Sequence, residues 1–155
     1  MTSVRQTRKS VHFPNSSNAL SSRPVILAAD LRKIARARLA DAEALYRTNR
    51  FDGSVYLCGY AVELSLKYRI CKTLGWSDFP STGGEFKQYQ TFRTHDLDVL
   101  LHLCGREARI KKQVFAEWST VVEWDPEVRY RSIGTASRTD AELMIKATTA
   151  VLRIL

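Results

Sequence analysis

No apolar run in this 155-residue chain is long enough to cross a membrane. A spanning helix needs roughly 18 such residues, and the best stretch, YLCGYAVELSLKYRICKTLGW at 56–76, is interrupted by Glu63 and Lys67. The expectation is a soluble protein with no membrane partner. Cysteine is scarce and odd in number: Cys58, Cys71 and Cys104 have no CxxC spacing. That argues against a disulfide framework and against a cysteine-rich zinc site, and points to small buried thiols in a reducing cytoplasm. Acid is missing from residues 1–29, and this segment also lacks the long apolar core of a secretory signal. There is no GxGxxG or Walker loop, no Ser/His/Asp order with an oxyanion-hole cue, no internal repeat and no convincing strand run.

What is present is basic and helical. The formal net charge is +8 and Arg outnumbers Lys two to one. Guanidinium groups contact phosphate in planar, bidentate fashion, so the bias leans toward an anionic partner without defining a site. Half of that net charge comes from Arg5, Arg8, Lys9 and Arg23 in a Ser-rich stretch. Residues 1–22 read as a flexible basic arm, with some likeness to an organellar transit segment, and 23–155 as a single helical domain.

Within that domain, Ser21 or Ser22 with Pro24 predicts the start of a first helix over about 24–48. Its stripe is Leu27, Leu31, Ile34, Arg38, Ala42 and Leu45. A second helix is expected from Asp52 or Ser54 to Gly75, apolar on nearly every side and therefore central. Residues 76–93 read as a long loop with Pro80, Gly83 and Gly84. Thr94 is placed as the cap of a third helix ending at Gly105, and a fourth helix runs unbroken through REARIKKQVFAEWSTVVE. After the irregular WDPEVRYRSIGTAS, Ser137 and Asp140 form a capping-box-like start to the last helix. The fold class is all-α, a four- to five-helix up-and-down bundle.

Polar residues inside the apolar helix carry the functional question. At helical spacing Tyr56, Tyr60, Glu63 and Lys67 share one face. An unpaired buried carboxylate would be too costly to keep. Glu63 is therefore expected to be held by Lys67 or Arg129, either as an ordinary ion pair or as an anchor beside a cleft, with Trp124 as a second anchor. Arg129, Tyr130 and Arg131 place two guanidiniums around an aromatic that can stack a base. The alternative is that Arg129 pairs with Asp125 or Glu63 while Tyr130 packs in the core. His95 and His102, with Asp98, suggest a metal pair only weakly, so no metal and no cofactor is expected. His95 at a helix start reads more simply as a backbone-bonded residue. Arg106, Arg109 and Lys112 form a basic stripe that reads as a solvated face.

The order of these motifs resembles the HEPN domain: a helix of the form YLCGYAVELSLKYRI, a loop, the helix start Thr94-His95-Asp96-Leu97, the segment Trp124-Asp125-Pro126-Glu127-Val128-Arg129-Tyr130, and a last amphipathic helix. The resemblance covers about 45–155. It implies a small helical bundle, usually a homodimer. Many such proteins are ribonucleases of toxin–antitoxin and anti-phage systems, many pair with a minimal nucleotidyltransferase, and others bind nucleotide or RNA without cleaving it. Catalytic members carry Arg, then four to six residues, then His near the last helices. This sequence has Arg129, Arg131 and Arg138 in that region but no His, and the Arg5–His12 match lies in the arm. The expectation is a non-catalytic module binding RNA or nucleotide through Arg129, Tyr130, Arg131, Lys67 and Tyr56. The alternatives are a divergent ribonuclease toxin using His95, and a structural partner of a nucleotidyltransferase.

Overall fold

The computed structural model describes residues 26–80, 92 and 94–155. The basic arm, the Ser21/Ser22/Pro24 start signal and the Gly83-Gly84 turn lie outside the described residues. The described chain is an all-α bundle, as the sequence pattern implied. In chain order it comprises β1 (Ile26–Leu27), α1 (Ala28–Arg47), α2 (Phe51–Leu74), β2 (Asp78–Phe79), α3 (Leu97–Leu103), α4 (Glu107–Gln113), α5 (Phe115–Val121), a 3-10 helix (Pro126–Tyr130) and α6 (Arg138–Ile154).

Helix α2 is the hub. Its buried residues, from Ser54 and Cys58 through Ala61–Leu66 to Ile70 and Cys71, point in every direction around the axis. Helices α1, α3, α5 and α6 all pack against it. A helix without a polar side can be stable only if enclosed in this way. The three cysteines are free and buried, and burial pushes the Cys58 and Cys104 thiols up to about 12 and Cys71 up to about 11. They are protonated packing groups, without thiolate reactivity.

Helix α1 buries Ala28, Leu31, Ala35 and Ala42, whereas Leu27 and Ile34 of the expected stripe are exposed. The face is rotated because small alanines let α1 lie close along α2, and that close approach decides the facing. The helix has no side-chain cap. Its first backbone N–H instead donates to the Ser77 carbonyl at 2.9 Å, beside the antiparallel pairing of Ile26 with Phe79 and Leu27 with Asp78. The chain just after α2 thus satisfies one of the orphan donors at the start of α1.

Three other boundaries differ from the sequence reading. Helix α2 begins at Phe51 without a side-chain cap. Asp52 and Ser54 face elsewhere, and Ser54 donates from its hydroxyl to the Ala42 carbonyl at 2.8 Å. Helix α3 is capped by Asp96, whose carboxylate accepts from the Val99 N–H, while the Thr94 hydroxyl, two residues earlier, accepts from the Asp96 N–H. The expected fourth helix is two helices, broken at Val114 (φ −144°, ψ 45°). The remaining stops hold as read. Gly75 and Gly105 end α2 and α3 at φ 70° and 69°, and Ser137 with Asp140 forms a full capping box on α6.

Candidate ligand groove and the buried Glu63 cluster

Residues 126–137 lie across the start of α2. Asp125 accepts from the Glu127 N–H at 2.9 Å and sets Pro126 at the head of the 3-10 helix. Farther on, Asp52 in the first turn of α2 accepts from the backbone N–H groups of Gly134 and Ala136, each at 2.7 Å. Those two bonds hold the Asp52 carboxyl below its usual pKa. Gly134 takes φ +86°, a conformation that favours glycine. Arg138 donates to the Asn49 side chain at 2.6 Å and lies over the rings of Tyr46 and Phe51, tying the head of α6 to the α1–α2 junction.

Between α2 and this segment runs a groove of about 280 Å³. Tyr56, Val128, Arg129, Arg131 and Ile133 contribute to its walls. The Arg129 guanidinium stacks 4.7 Å from the centroid of the Tyr130 ring and sits 3.5 Å from the Glu127 carboxylate. Tyr130 is 73% exposed. The packed-core alternative for Tyr130 is therefore overturned, as is the pairing of Arg129 with Asp125 or Glu63. The Tyr130 and Tyr56 hydroxyls raise the Arg129 pKa further, so the group is a permanent cation.

Glu63 lies elsewhere, 2% exposed at the middle of α2. Its Oε1 accepts from Lys67 Nζ at 2.5 Å and lies 3.0 Å from His95 Nδ1. Lys67 answers the expectation of a partner, and Arg129 does not reach the carboxylate. His95 was expected to bond backbone; it reaches across from the start of α3 to Glu63 because α3 packs on that side of α2. On the same face Tyr56 and Tyr60 stack with centroids 6.4 Å apart, and Tyr56 lies 6.1 Å from Trp124. Trp124 is 7% exposed and rests on Gly59, where an added Cβ would come within 2.1 Å of its ring. Glycine is required there by close approach, not by backbone angle.

The residues singled out from the sequence thus fall into two places. Tyr56, Arg129 and Arg131 line one groove with Tyr130 at its edge, whereas Lys67 and the exposed His95 meet at the buried Glu63 carboxylate in a separate cluster, with Trp124 near His95. His102 of α3 turns to Glu107 at 3.0 Å, so it and His95, just before α3, serve different carboxylates. Among the described residues no group of His, Cys, Asp and Glu is arranged to hold a metal. Asp52 was missed as a site-forming residue. The available signal was an acid in a helix's first turn that the helix itself did not need as a cap.

A central helix buried on all sides, clasped to a long first helix and covered by short helices and a last amphipathic one, defines a compact all-α module. Residues 28–84 match the family model of the HEPN domain. The match spans α1, α2 and β2, starting earlier than the resemblance read from the sequence and leaving the His95 and Arg129 segments outside it. No curated protein and no solved structure matches the chain. No helix among the described residues is long and apolar enough to cross a membrane.

Proposed function

We propose that the chain is a non-catalytic HEPN-type module, acting in the cytoplasm, that binds RNA or a nucleotide at the groove of Tyr56, Arg129 and Arg131. The observation that carries this reading is the exposed Tyr130 ring with a guanidinium stacked on it at 4.7 Å, at the edge of a concavity that holds a second arginine. A base stacks on the open ring face while the cations meet the phosphate, the arrangement that serves single-stranded nucleic acid. Arg5, Arg8 and Lys9 of the arm add long-range attraction for the same anion. A homodimer, and a place in a toxin–antitoxin or defence system beside a nucleotidyltransferase, are what the HEPN likeness adds to the reading.

A second reading rests on His95. Glu63 holds one ring nitrogen, the side chain is 62% exposed, and the other nitrogen has no partner among the described residues. That arrangement suits a general base, and it supports a divergent ribonuclease. One gel separates the two. The purified protein is incubated with total RNA and a labelled oligonucleotide, beside Arg129→Ala/Arg131→Ala and His95→Ala variants. Salt-sensitive retention without cleavage, lost in the double arginine variant, is the expected result. Cleavage abolished by His95→Ala would replace it with the ribonuclease. Neither retention nor cleavage would leave a structural partner of another protein.

A further inference from the structure

The start of α3 and the turn after α5 border a hollow of about 560 Å³ whose charge is opposite to that of the chain as a whole. Asp96, Asp98, Glu123 and Asp125 line it, and none of its described lining residues is Lys or Arg. It shares no lining residue with the groove of Arg129 and Arg131. All four acids are exposed, and among the described residues none has a cation within ion-pair distance. Three of them are oriented through one oxygen each. Asp96 accepts from the Val99 N–H, Asp98 from Trp118 Nε1 and Asp125 from the Glu127 N–H. Trp124 lines the same hollow and is only 7% exposed, and its indole N–H is buried without an acceptor.

Four carboxylates so placed repel one another, and a buried N–H without an acceptor costs free energy. A ligand that relieves both carries several cations and a carbonyl oxygen. A single metal ion does not fit, because among the described residues no group of His, Cys, Asp and Glu is arranged to hold one. A polyamine brings the cations but only donors to meet the indole N–H. A basic peptide brings both, since every residue adds a carbonyl to its side-chain charge. This chain contains such a peptide. Arg5, Arg8 and Lys9 lie within five residues, and no acid occurs in residues 1–29. The roughly 17 residues from Lys9 to Ile26 can span up to about 56 Å. A domain of this size has a radius of gyration of about 15 Å, so the tether reaches any face. Attachment to the same chain also raises the arm's effective concentration above that of a free basic peptide.

We propose that the acidic hollow is the docking site of the chain's own basic arm, with Arg5, Arg8 and Lys9 on the four carboxylates and an arm carbonyl on the Trp124 N–H. An arm seated there is withheld from the groove, and an RNA strand has to draw it out to use its charge. That consequence rests on the groove reading; the docking does not.

The test places a nitroxide on Ser10→Cys in the full chain. The label is selective because the three native thiols are buried and protonated. Broadening of amide NMR lines then maps where the arm lies. It is expected to concentrate at residues 95–98 and 122–126, and to fall by about half or more in Asp98→Asn/Glu123→Gln and at about 0.5 M salt. Both replacements are isosteric, and the amide oxygen at 98 can still accept from Trp118. Arg5→Gln/Arg8→Gln/Lys9→Gln, which alters no described residue, should lower the broadening likewise. Broadening spread evenly over the surface, centred on the groove, or undiminished in either variant overturns the docking. Broadening that arises only between nitroxide-labelled and isotope-labelled copies overturns it too, and gives the hollow to the arm of a second copy. Spermine shifting the amides of the hollow while the arm makes no contact also overturns it, and makes the hollow a polyamine site. An added RNA oligonucleotide should lower the broadening at the hollow. Retention of the oligonucleotide with the arm still seated overturns the competition, whereas no retention at all sinks the groove reading and leaves the docking standing.

Discussion

Glu63 shows how a single buried charge is made tolerable. Its carboxylate is almost fully enclosed, yet it meets Lys67 one turn along the helix and His95 from the next. Removing one member of a buried pair strands the other, and the Lys67 side chain is only 15% exposed. Glu63→Ala should therefore cost about 3 kcal/mol in urea unfolding; a loss of only a few tenths would give the pair the weight of an exposed ion pair. Gly59 makes the opposite point. Alanine is the better helix former by about 1 kcal/mol, but its Cβ would meet the Trp124 ring at 2.1 Å. Gly59→Ala is expected to destabilise by about 1–3 kcal/mol and to change Trp124 fluorescence; a more stable variant would mean that the ring is free to move.

Asp52 carries a pH dependence with a definite sign. Its pKa is lowered from 3.8 by the N–H groups of Ala136 and Gly134. A group depressed in the folded state stabilises above its unfolded value, and the contribution is lost as pH falls through the folded value. The stability gap between wild type and Asp52→Asn should be constant from neutral pH down to about pH 5, then shrink through and below 3.8. Its size should be about 1 kcal/mol, since solvent screens one side of the carboxylate. A gap that does not close in acid would mean that the Asp52 contacts are not charge-assisted.

At the scale of elements, termini with a local signal were legible. Gly75 and Gly105 needed φ near +70° and Ser137 needed Asp140 three residues on, all of which local sequence can express. Ser137→Ala should cost about 1 kcal/mol and fray the first turn of α6, seen as faster amide exchange there; unchanged exchange would assign that end's order to Arg138 alone. Starts set by distant contacts were not legible. Helix α1 begins where the Ser77 carbonyl meets it, and α2 begins without a side-chain cap because Arg50 at the capping position carries only donors, while Asp52 inside the first turn bonds the Gly134 and Ala136 N–H groups. The break at Val114 has neither proline nor glycine to announce it. Both short helices pack on α6, α5 far more extensively than α4.

For the whole molecule, composition and periodicity determined a great deal. A helix apolar on all sides has to be central, a last amphipathic helix has to cover it, and an excess of arginine has to find solvent or anions. The Glu63–Lys67 pair was also legible, because residues four apart on a helix meet regardless of the rest of the fold. Tertiary structure alone decided the other partnerships. It brought His95 to Glu63 across a separation of 32 residues, left Tyr130 outside, and split Lys67 from Arg129. It also gathered Arg32, Arg69, Arg106 and Arg153, which look in the sequence like unrelated surface charges, around one basin. The physical reason is the same in each case. Helical periodicity fixes which residues share a face of one element, while the facing of two elements depends on how closely their side chains allow them to approach.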